Sequence, residues 1–382
     1  VVHSDGNGRA NISRKISNSD VGNAAGLIKT GPGRLVLSDT SNDYDGPTTV
    51  EEGILQLGTG FGNTQSIPGK ITAPFTAGVG SNLVVDNAMI AFYFTFQRAI
   101  GTGIHDVQFT GASAGLTQRQ GDRPTFVFGN DTTEVVWGAP GFDPGEFVIN
   151  DPIAGPATTL RWQNPIDLNG ADRTISTPST THGASLEKNV RNTGATAALI
   201  KEGGGTMTLQ GTNTYDGGTT INEGTAQFDK IVSMPASGVV TVASGATLCV
   251  KVGGGGEWST AGTGEGTVDG LLNGLGGQPG STIANSGNLC LLITGSQTVS
   301  NVISSSGDFF VSGGTLELSG DNTFTGDVVV DGGATLILSG DNSGATGAIR
   351  IINGYLQAAP ANLPAGGVKY DSSGTDPAIA ED

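Results

Sequence analysis

The chain has 382 residues, of which 64 are glycine and only 14% are charged, against about a quarter in typical globular domains. Its net charge is −17 and it has no Lys/Arg cluster, which argues against a nucleic-acid partner because phosphate binding requires a positive patch. No run approaches the roughly 18 uninterrupted apolar residues of a spanning helix, so the sequence predicts no transmembrane segment.

Aromatic residues make up only 6% of the chain, too few to fill a wide globular core. Glycine-rich disorder is the rival interpretation, but hydrophobic residues reach 36% and cluster in short strand-like runs. A narrow aliphatic core built by strands is therefore expected. The chain opens with Val1 and without Met, which we interpret as a mature segment whose leader has been removed.

The first clear element covers residues 27–57. A glycine turn leads into a strand of alternating pattern, and a polar corner with one aromatic residue, Tyr44, follows. A β-branched strand at 48–50, a turn at Gly53 and a third strand at 54–57 complete the element. Glycine turns supply the positive φ of tight corners, and alternation places the aliphatic residues on one face.

Residues 58–130 are predicted to form an excursion from this regular pattern. Within them the stretch 83–100 is unusually aromatic. We expect strands there, at a wider part of the column or beneath a protruding loop, with a sticky strand for a neighbouring molecule as the alternative.

The next segment contains the one loose cluster of acidic and basic residues, Asp167, Asp172 and Arg173. Polysaccharide-degrading enzymes on parallel β-helices require two or three carboxylates, or a carboxylate with Arg or Lys, on one face. Solvated turn residues are the alternative, and fold alone does not confer activity. We therefore predict no catalytic residues and no enzyme.

Three further copies of the first element follow, at residues 199–228, 310–338 and 334–357. The element Leu-Ser-Gly-Asp-Asn recurs at Leu318 and Leu338, one short coil apart. Shared positions of the first two copies are Leu27/Leu199, Lys29/Lys201, Gly33/Gly205, Leu37/Leu209, Tyr44/Tyr215, Gly46/Gly217, Val50/Ile221 and Gly53/Gly224.

Between the second and third copies lie the two cysteines, Cys249 and Cys290. Each is flanked by aliphatic residues that would point inward, so both thiols would point outward. Equivalent positions on adjacent coils are about 4.8 Å apart, which suits a disulfide. The separation fits one large coil or two small ones, and only the first would pair the thiols. Two unpaired side chains are the alternative.

Residues 252–285 are a second predicted excursion, rich in glycine from Gly253 to Gly280. No Lys-Ser/Thr pair and no plausible helix follows these glycines, so a phosphate-binding loop is not expected. The histidines, His3, His105 and His182, have no metal-ligand spacing, and no Gly-x-Ser-x-Gly elbow accompanies His105. The cysteines lack a CxxC partner, which argues against structural zinc.

Calcium is the weak cofactor candidate, because carboxylates lie at the polar corners of the repeats: Asp321, Asp327 and Asp341, and also Asp43 and Asp45. Ca²⁺ takes roughly six to eight oxygen ligands, and stacked corners could gather them. Solvated turn residues are the alternative, so no metal site and no cofactor is the prediction. Residues 371–382 are predicted to form a flexible tail.

Three short strands and their turns make one coil, and stacked coils pair their backbone groups and bury a continuous aliphatic column. The fold predicted is all-β, a single right-handed parallel β-helix (β-solenoid) over residues 1–382, with loop excursions. No useful helical periodicity is present.

The pattern LxKxGxGxLxLxGxNxYxGxTxIxxGxLQ at residues 27–57 and 199–228, with a good match at 310–357, resembles the autotransporter-associated β-strand repeat of bacterial surface proteins. The resemblance implies an exported passenger region that forms a β-helix and holds an adhesive or structural surface away from the cell. The sequence departs from that family in showing no C-terminal translocator; either the translocator was cleaved off or the protein reaches the surface by another route.

The predicted function is an extracellular or cell-surface structural protein, a stalk or a filament subunit that self-associates head to tail through open solenoid ends. The alternative is an adhesin that binds carbohydrate or a host surface through the 58–130 and 252–285 excursions. A polysaccharide-degrading enzyme ranks below both.

Overall fold

Short strands separated by glycine turns make up most of the computed structural model, which describes residues 1–5, 8–18, 24–58, 66–68, 80–151 and 159–370. The fold divides into two compact units, residues 1–207 and 208–382. The predicted tail, 371–382, and two parts of the first predicted excursion, 59–65 and 69–79, lie outside the described residues. One continuous solenoid over 1–382 stays a prediction of the sequence.

Unit 1 contains strands of two to fifteen residues, joined by turns. They are β1 (Val2–His3), β2 (Arg9–Ile12), β3 (Leu27–Thr30), β4 (Arg34–Leu37), β5 (Thr48–Val50), β6 (Gly53–Leu57), β7 (Leu83–Asp86), β8 (Ala88–Gln97), β9 (Val107–Thr110), β10 (Ser113–Val127), β11 (Val135–Val136), β12 (Glu146–Ile149), β13 (Leu160–Trp162), β14 (Ile166–Asp167), β15 (Arg173–Ser176), β16 (Ala184–Leu186), β17 (Val190–Arg191), β18 (Leu199–Glu202) and β19 (Thr206–Leu209), which contains the unit boundary.

The sheets of unit 1 are parallel and join strands of successive coils. One runs β1–β3–β5–β7–β9 and another β11–β14–β17. A third, β2–β4–β6–β8–β10, divides at β10, whose first half pairs with β12 and whose second half pairs with β13. Parallel pairing of sequence neighbours one coil apart is the topology of a solenoid.

The long strands β8 and β10 lie in the segment 58–130, and residues 83–127 hold the paired strands β7 to β10, which include the stretch 83–100 where the sequence predicts strands. The extent of the excursion stays a prediction. The aromatic side chains Phe92 and Phe96 are fully buried. They belong to the core and are not the exposed sticky strand of the alternative.

Unit 2 holds the remaining strands and one short helix. They are β20 (Thr219–Ile221), β21 (Thr225–Phe228), β22 (Gly238–Val242), β23 (Thr247–Val252), α1 (Val268–Leu272), β24 (Ser281–Asn285), β25 (Asn288–Ile293), β26 (Ser296–Val299), β27 (Phe309–Ser312), β28 (Thr315–Leu318), β29 (Val328–Asp331), β30 (Ala334–Leu338), β31 (Ile349–Ile351), β32 (Gly354–Ala358) and β33 (Val368–Tyr370), with 3₁₀ turns at Ile231–Ser233 and Pro360–Asn362.

Three parallel sheets order these strands: β20–β22–β24, β21–β23–β25–β27–β29–β31–β33 and β26–β28–β30–β32. The sequence predicted no helix, yet α1 forms within the second predicted excursion. It is a single turn that begins where Thr267 Oγ1 accepts a hydrogen bond from Gly270 N at 2.9 Å, an N-cap arrangement.

A column of buried apolar side chains forms part of the core of each unit. In unit 2 one register position is occupied in six successive strands by side chains that are at most 2% exposed: Phe228, Val250, Leu291, Val311, Val330 and Ile351. In unit 1 the corresponding row is fully buried: Leu35, Leu55, Ile90, Leu116 and Ile149. Burying each side chain of this size is worth about 1.5–3 kcal/mol, so the column dominates stability.

The glycine shared by the repeat copies has a steric reason at Gly53. Its φ is +69°, and a Cβ there would lie 2.5 Å from Gly33 O, the carbonyl of the preceding coil's turn. Gly224, the matching glycine of the second copy, has φ +62°. The left-handed backbone and the close approach of turns both require the absence of a side chain.

These parallel sheets and buried columns confirm the all-β, parallel β-solenoid class predicted from the sequence. Among the helices that the structure describes, none is long and apolar enough to cross a membrane.

Candidate functional site

The repeat lysine, a candidate for chemistry by its charge alone, lies inside the column. Lys29 is fully buried and its Nζ donates to Thr30 O at 3.0 Å, to Gly31 O and to Glu52 O at 2.9 Å. Burial lowers the pKa of Lys29, opposed by the charge of Glu52. Lys201, also fully buried, donates to Glu202 O and Gly203 O. The ammonium group of each lysine therefore donates hydrogen bonds to the carbonyl oxygens of the glycine turn.

The repeat tyrosine is likewise a structural residue. Tyr44 Oη lies 2.7 Å from Thr48 Oγ1, which lies 2.7 Å from Ser81 Oγ in the next coil. Burial raises the pKa of Tyr44 to about 12. Because a buried hydroxyl without a partner is costly, this chain of three hydroxyls keeps the polar corner compatible with the core.

The repeat asparagine links successive corners. Asn322 Oδ1 accepts from Ile303 N at 2.8 Å, and Asn322 Nδ2 donates to Asn342 Oδ1 at 2.7 Å. Asn342 Nδ2 donates in turn to Asn362 O at 2.9 Å. Both side chains are at most 1% exposed. A ladder of buried amides thus satisfies the backbone at three corners.

The acidic and basic residues nominated for an enzyme site have separate partners. Asp167 is 2% exposed; its Oδ2 accepts from Thr193 Oγ1 at 2.7 Å and lies 3.2 Å from Arg191 Nη2. Burial works to raise the pKa of Asp167, but hydrogen bonds from Thr193 and Asn169 and the charge of Arg191 outweigh it and lower the pKa.

The other two nominated residues also bind structural groups. Asp172 Oδ1 accepts from Ala198 N at 2.8 Å. Arg173 Nε donates to Leu168 O at 3.0 Å, and its guanidinium lies 5.8 Å from the centre of the Trp137 ring. A carboxylate pair for glycoside chemistry must present oxygens to a shared substrate, whereas both oxygens of Asp167 and Oδ1 of Asp172 already accept from groups of the protein.

Sequence reasoning missed a set of ion pairs that join coils of unit 1. Arg161 Nη2 donates to Glu187 Oε2 at 2.8 Å, Lys188 Nζ lies 3.2 Å from Asp131 Oδ2, and Arg191 pairs with Glu134. The one signal in the sequence is the recurrence of opposite charges at coil spacing. Partly exposed pairs of this kind contribute about 0–1 kcal/mol each.

The calcium candidates have partners among the described residues: Asp341 Oδ1 accepts from Ser343 N at 2.9 Å in its own turn, and the other two bind groups of neighbouring coils. Asp321 Oδ1 accepts from Asp341 N at 3.1 Å. Asp327 Oδ1 accepts from Ala348 N at 2.9 Å, and its Oδ2 lies 3.9 Å from Arg350 Nε and 3.8 Å from Lys369 Nζ. Within the described ranges, no group of three or more His, Cys, Asp or Glu side chains could hold a metal ion.

Two of the histidines contact local partners. His3 Nε2 lies 2.6 Å from Asp5 Oδ1, and His182 Nδ1 lies 2.7 Å from both Ser179 Oγ and Thr181 Oγ1. His3 Nδ1 also lies 2.8 Å from Thr30 Oγ1, in its register partner on β3.

The cysteines occupy the same register position on adjacent strands of unit 2. Cys249 in β23 pairs with Cys290 in β25, their Cα atoms are 4.4 Å apart, and a disulfide links them. Leu248 and Val250 on either side of Cys249 are fully buried. The coil between the thiols is therefore the single large one, and it contains α1.

The comparison with protein-family models matches these same repeat elements. Residues 27–57, 199–225, 311–334 and 328–358 each match the passenger-associated-transport-repeat. The chain carries passenger repeats. These passenger repeats overlap the four copies predicted from the sequence, and the resemblance is confirmed. Comparisons with curated proteins and with solved structures found no significant match.

Repeats of this family suggest a secreted or cell-surface protein. In the first two passenger repeats, the side chains that recur most clearly are those that hold coils together: the lysine under the glycine turn, the tyrosine in the corner and the turn glycines. The repeat is thus a building unit of the column.

Proposed function

We propose that the passenger repeats build a structural element of a bacterial surface protein, a stalk that acts through its stiffness and length. The observation that carries this proposal is the register column of unit 2, in which six successive strands place a buried apolar side chain at one position. Stacked coils that share one column and one ladder of backbone hydrogen bonds resist bending and local unfolding.

The buried charged side chains bind groups of the protein itself, which supports a structural role over an enzymatic one. The buried charges Lys29 and Asp167 bind backbone or neighbouring side chains. Assays of the purified chain on neutral and acidic polysaccharides test this part of the proposal. Release of reducing ends above the rate of a heat-denatured control would contradict it.

We further propose that copies of the stalk associate with one another and so form a filament. The edge of a solenoid coil presents unpaired N–H and C=O groups that can template pairing with another copy. Negative-stain electron microscopy of the purified chain over rising concentration is the test. End-to-end assemblies are expected, and dispersed particles at the highest concentration would contradict the filament.

A further inference from the structure

Two arginines from different coils lie side by side on the outer face of unit 1. Arg9 in β2 and Arg34 in β4 are register partners on adjacent parallel strands, which are about 4.8 Å apart. Leu35, the residue after Arg34, is fully buried, so alternation along the strand directs Arg34 to the outer face. Arg9 is exposed and Arg34 is half-buried. The stacking of coils therefore produces a pair of guanidinium groups that solvent can reach.

This arginine pair has no anionic partner. Among the residues that the structure describes, no carboxylate forms an ion pair with Arg9 or Arg34, and neither guanidinium donates a hydrogen bond. The carboxylate whose charge reaches Arg34 is Asp151, but its Oδ2 lies 3.1 Å from Arg119 Nη2 and its Oδ1 accepts from Thr117 Oγ1 at 2.9 Å. Two arginines thus lack a counter-charge in a chain with 35 acidic and 18 basic residues.

The electrostatic environment of the arginine pair is positive. Burial lowers the pKa of Arg34, and the charges of Arg119 and Arg9 lower it further, while Asp151 and Tyr93 act in the opposite direction. Like charges directly opposite each other on neighbouring strands are destabilising. An anion between the two guanidinium groups removes that repulsion, so the pair is better satisfied with a ligand than without one.

The charge and the donor geometry of the arginine pair indicate which anion fits. Each guanidinium offers a planar fork of N–H donors that matches two oxygens of an oxyanion. A carboxylate has two oxygens and one charge, enough for one fork, whereas a phosphate monoester has three acceptor oxygens and a charge of about −1.5 to −2 at pH 7. One phosphate group can therefore bridge both arginines and neutralise them. Two cations do not provide the row of phosphate contacts that a nucleic acid requires.

We propose that Arg9 and Arg34 form a binding site for one phosphate monoester group, carried either by a soluble molecule or by a lipid headgroup. Both guanidinium groups donate to the phosphate oxygens, so the ligand links β2 to β4 across the outer face. The site is independent of the stalk and of the filament.

Calorimetric titration of glycerol phosphate, a soluble monoester, into the full chain at pH 7 tests the site, with the ionic strength held constant by KCl. Arg9→Gln and Arg34→Gln each remove one donor fork, so each variant should bind at least about tenfold more weakly than the wild type. The matched control is Arg14→Gln, which removes the same charge from an exposed arginine after β2. It should bind as the wild type does.

Two further measurements separate the donor fork from the charge. Arg34→Lys keeps the charge and loses the planar fork, so its affinity should lie between those of the wild type and Arg34→Gln. Lowering the pH from 7 to 5 should weaken binding to the wild type. A phosphate monoester takes up a proton at a pKa of about 6 and loses charge, while both arginines keep theirs.

Thermal unfolding gives a second readout, in which each variant is compared with its own ligand-free sample. Glycerol phosphate in excess should raise the unfolding temperature of the wild type and of Arg14→Gln, because it binds the folded state. It should not raise that of the double variant Arg9→Gln/Arg34→Gln. The ligand-free curves also show that each variant is folded.

The source of the phosphate group is decided by sedimentation with phosphatidylcholine vesicles that contain or lack phosphatidic acid. Retention only by vesicles with phosphatidic acid, lost in the double variant, assigns the lipid headgroup. Binding of glycerol phosphate without retention by vesicles assigns a soluble ligand. No binding in either assay, equal affinity of the wild type and the folded double variant, or an equal loss in Arg14→Gln would each overturn the inference. Micrographs test the filament separately.

Discussion

Tyr215 Oη lies 2.6 Å from Thr219 Oγ1, and both side chains are fully buried. In the third passenger repeat, the aligned residues are Phe324 and Val328, which are also fully buried. The second repeat therefore has both hydroxyls and the third repeat has neither, as expected when a buried hydroxyl needs a hydrogen-bond partner.

A double-mutant cycle at this pair tests that relationship. Tyr215→Phe and Thr219→Val each leave one buried hydroxyl without its partner, so each should lower the free energy of unfolding by about 1–3 kcal/mol. The double variant copies the third repeat and should lose less than the sum of the two single variants. Urea unfolding measures the cycle; additive losses would show that the two hydroxyls are not coupled.

Tyr44 should make unfolding depend on alkaline pH. Its folded pKa is about 12 against an ordinary 10.0, so between these values the unfolded state ionises while the folded state keeps its proton. Stability from this group is therefore complete below pH 10 and falls as the pH rises above it, by about 1.4 kcal/mol per unit.

The control for this pH dependence is Tyr44→Phe, which keeps the ring and removes the ionisable group. Unfolding of both proteins is followed in urea from pH 9 to 11. The wild type should lose stability more steeply than the variant above pH 10, and parallel curves would contradict the assigned pKa.

The Cys249–Cys290 disulfide should be found by peptide mapping under non-reducing conditions, as one peptide pair that separates after reduction. Because it closes a loop of 41 residues, replacing both cysteines with alanine should lower the free energy of unfolding by about 2–4 kcal/mol. The same reducing agent should leave the double variant's unfolding unchanged. Two free thiols in the denatured, unreduced chain would refute the bond.

Removal of one whole coil should be tolerated if the repeat is a structural unit. Leu318 and Leu338 are register partners on adjacent strands, so deleting residues 319–338 joins equivalent positions. We expect this shortened chain to keep its β-sheet circular dichroism and to unfold cooperatively. Deleting only 319–328 shifts the register and exposes inward residues, so this matched control should aggregate or unfold. Equal behaviour of the two deletions would contradict the coil assignment.

Much of the repeat itself follows from the sequence. Alternation along a strand is a local property, because successive Cβ atoms point to opposite faces, and it identifies Leu209 and Leu316 as core residues, both fully buried. The turn glycine at Gly53 is recognisable for the same local reason, a backbone conformation that other residues avoid.

Other features were decided only by the tertiary structure, since they depend on which strands become neighbours. The division of the sheet at β10, the pairing of Glu134 with Arg191 and the register of Arg9 with Arg34 join segments that are distant in sequence. Lys29 and Lys201 illustrate the difference most clearly. Their positions in the strand predict an inward side chain, but the carbonyls that make burial of an ammonium group tolerable come from the folded turns.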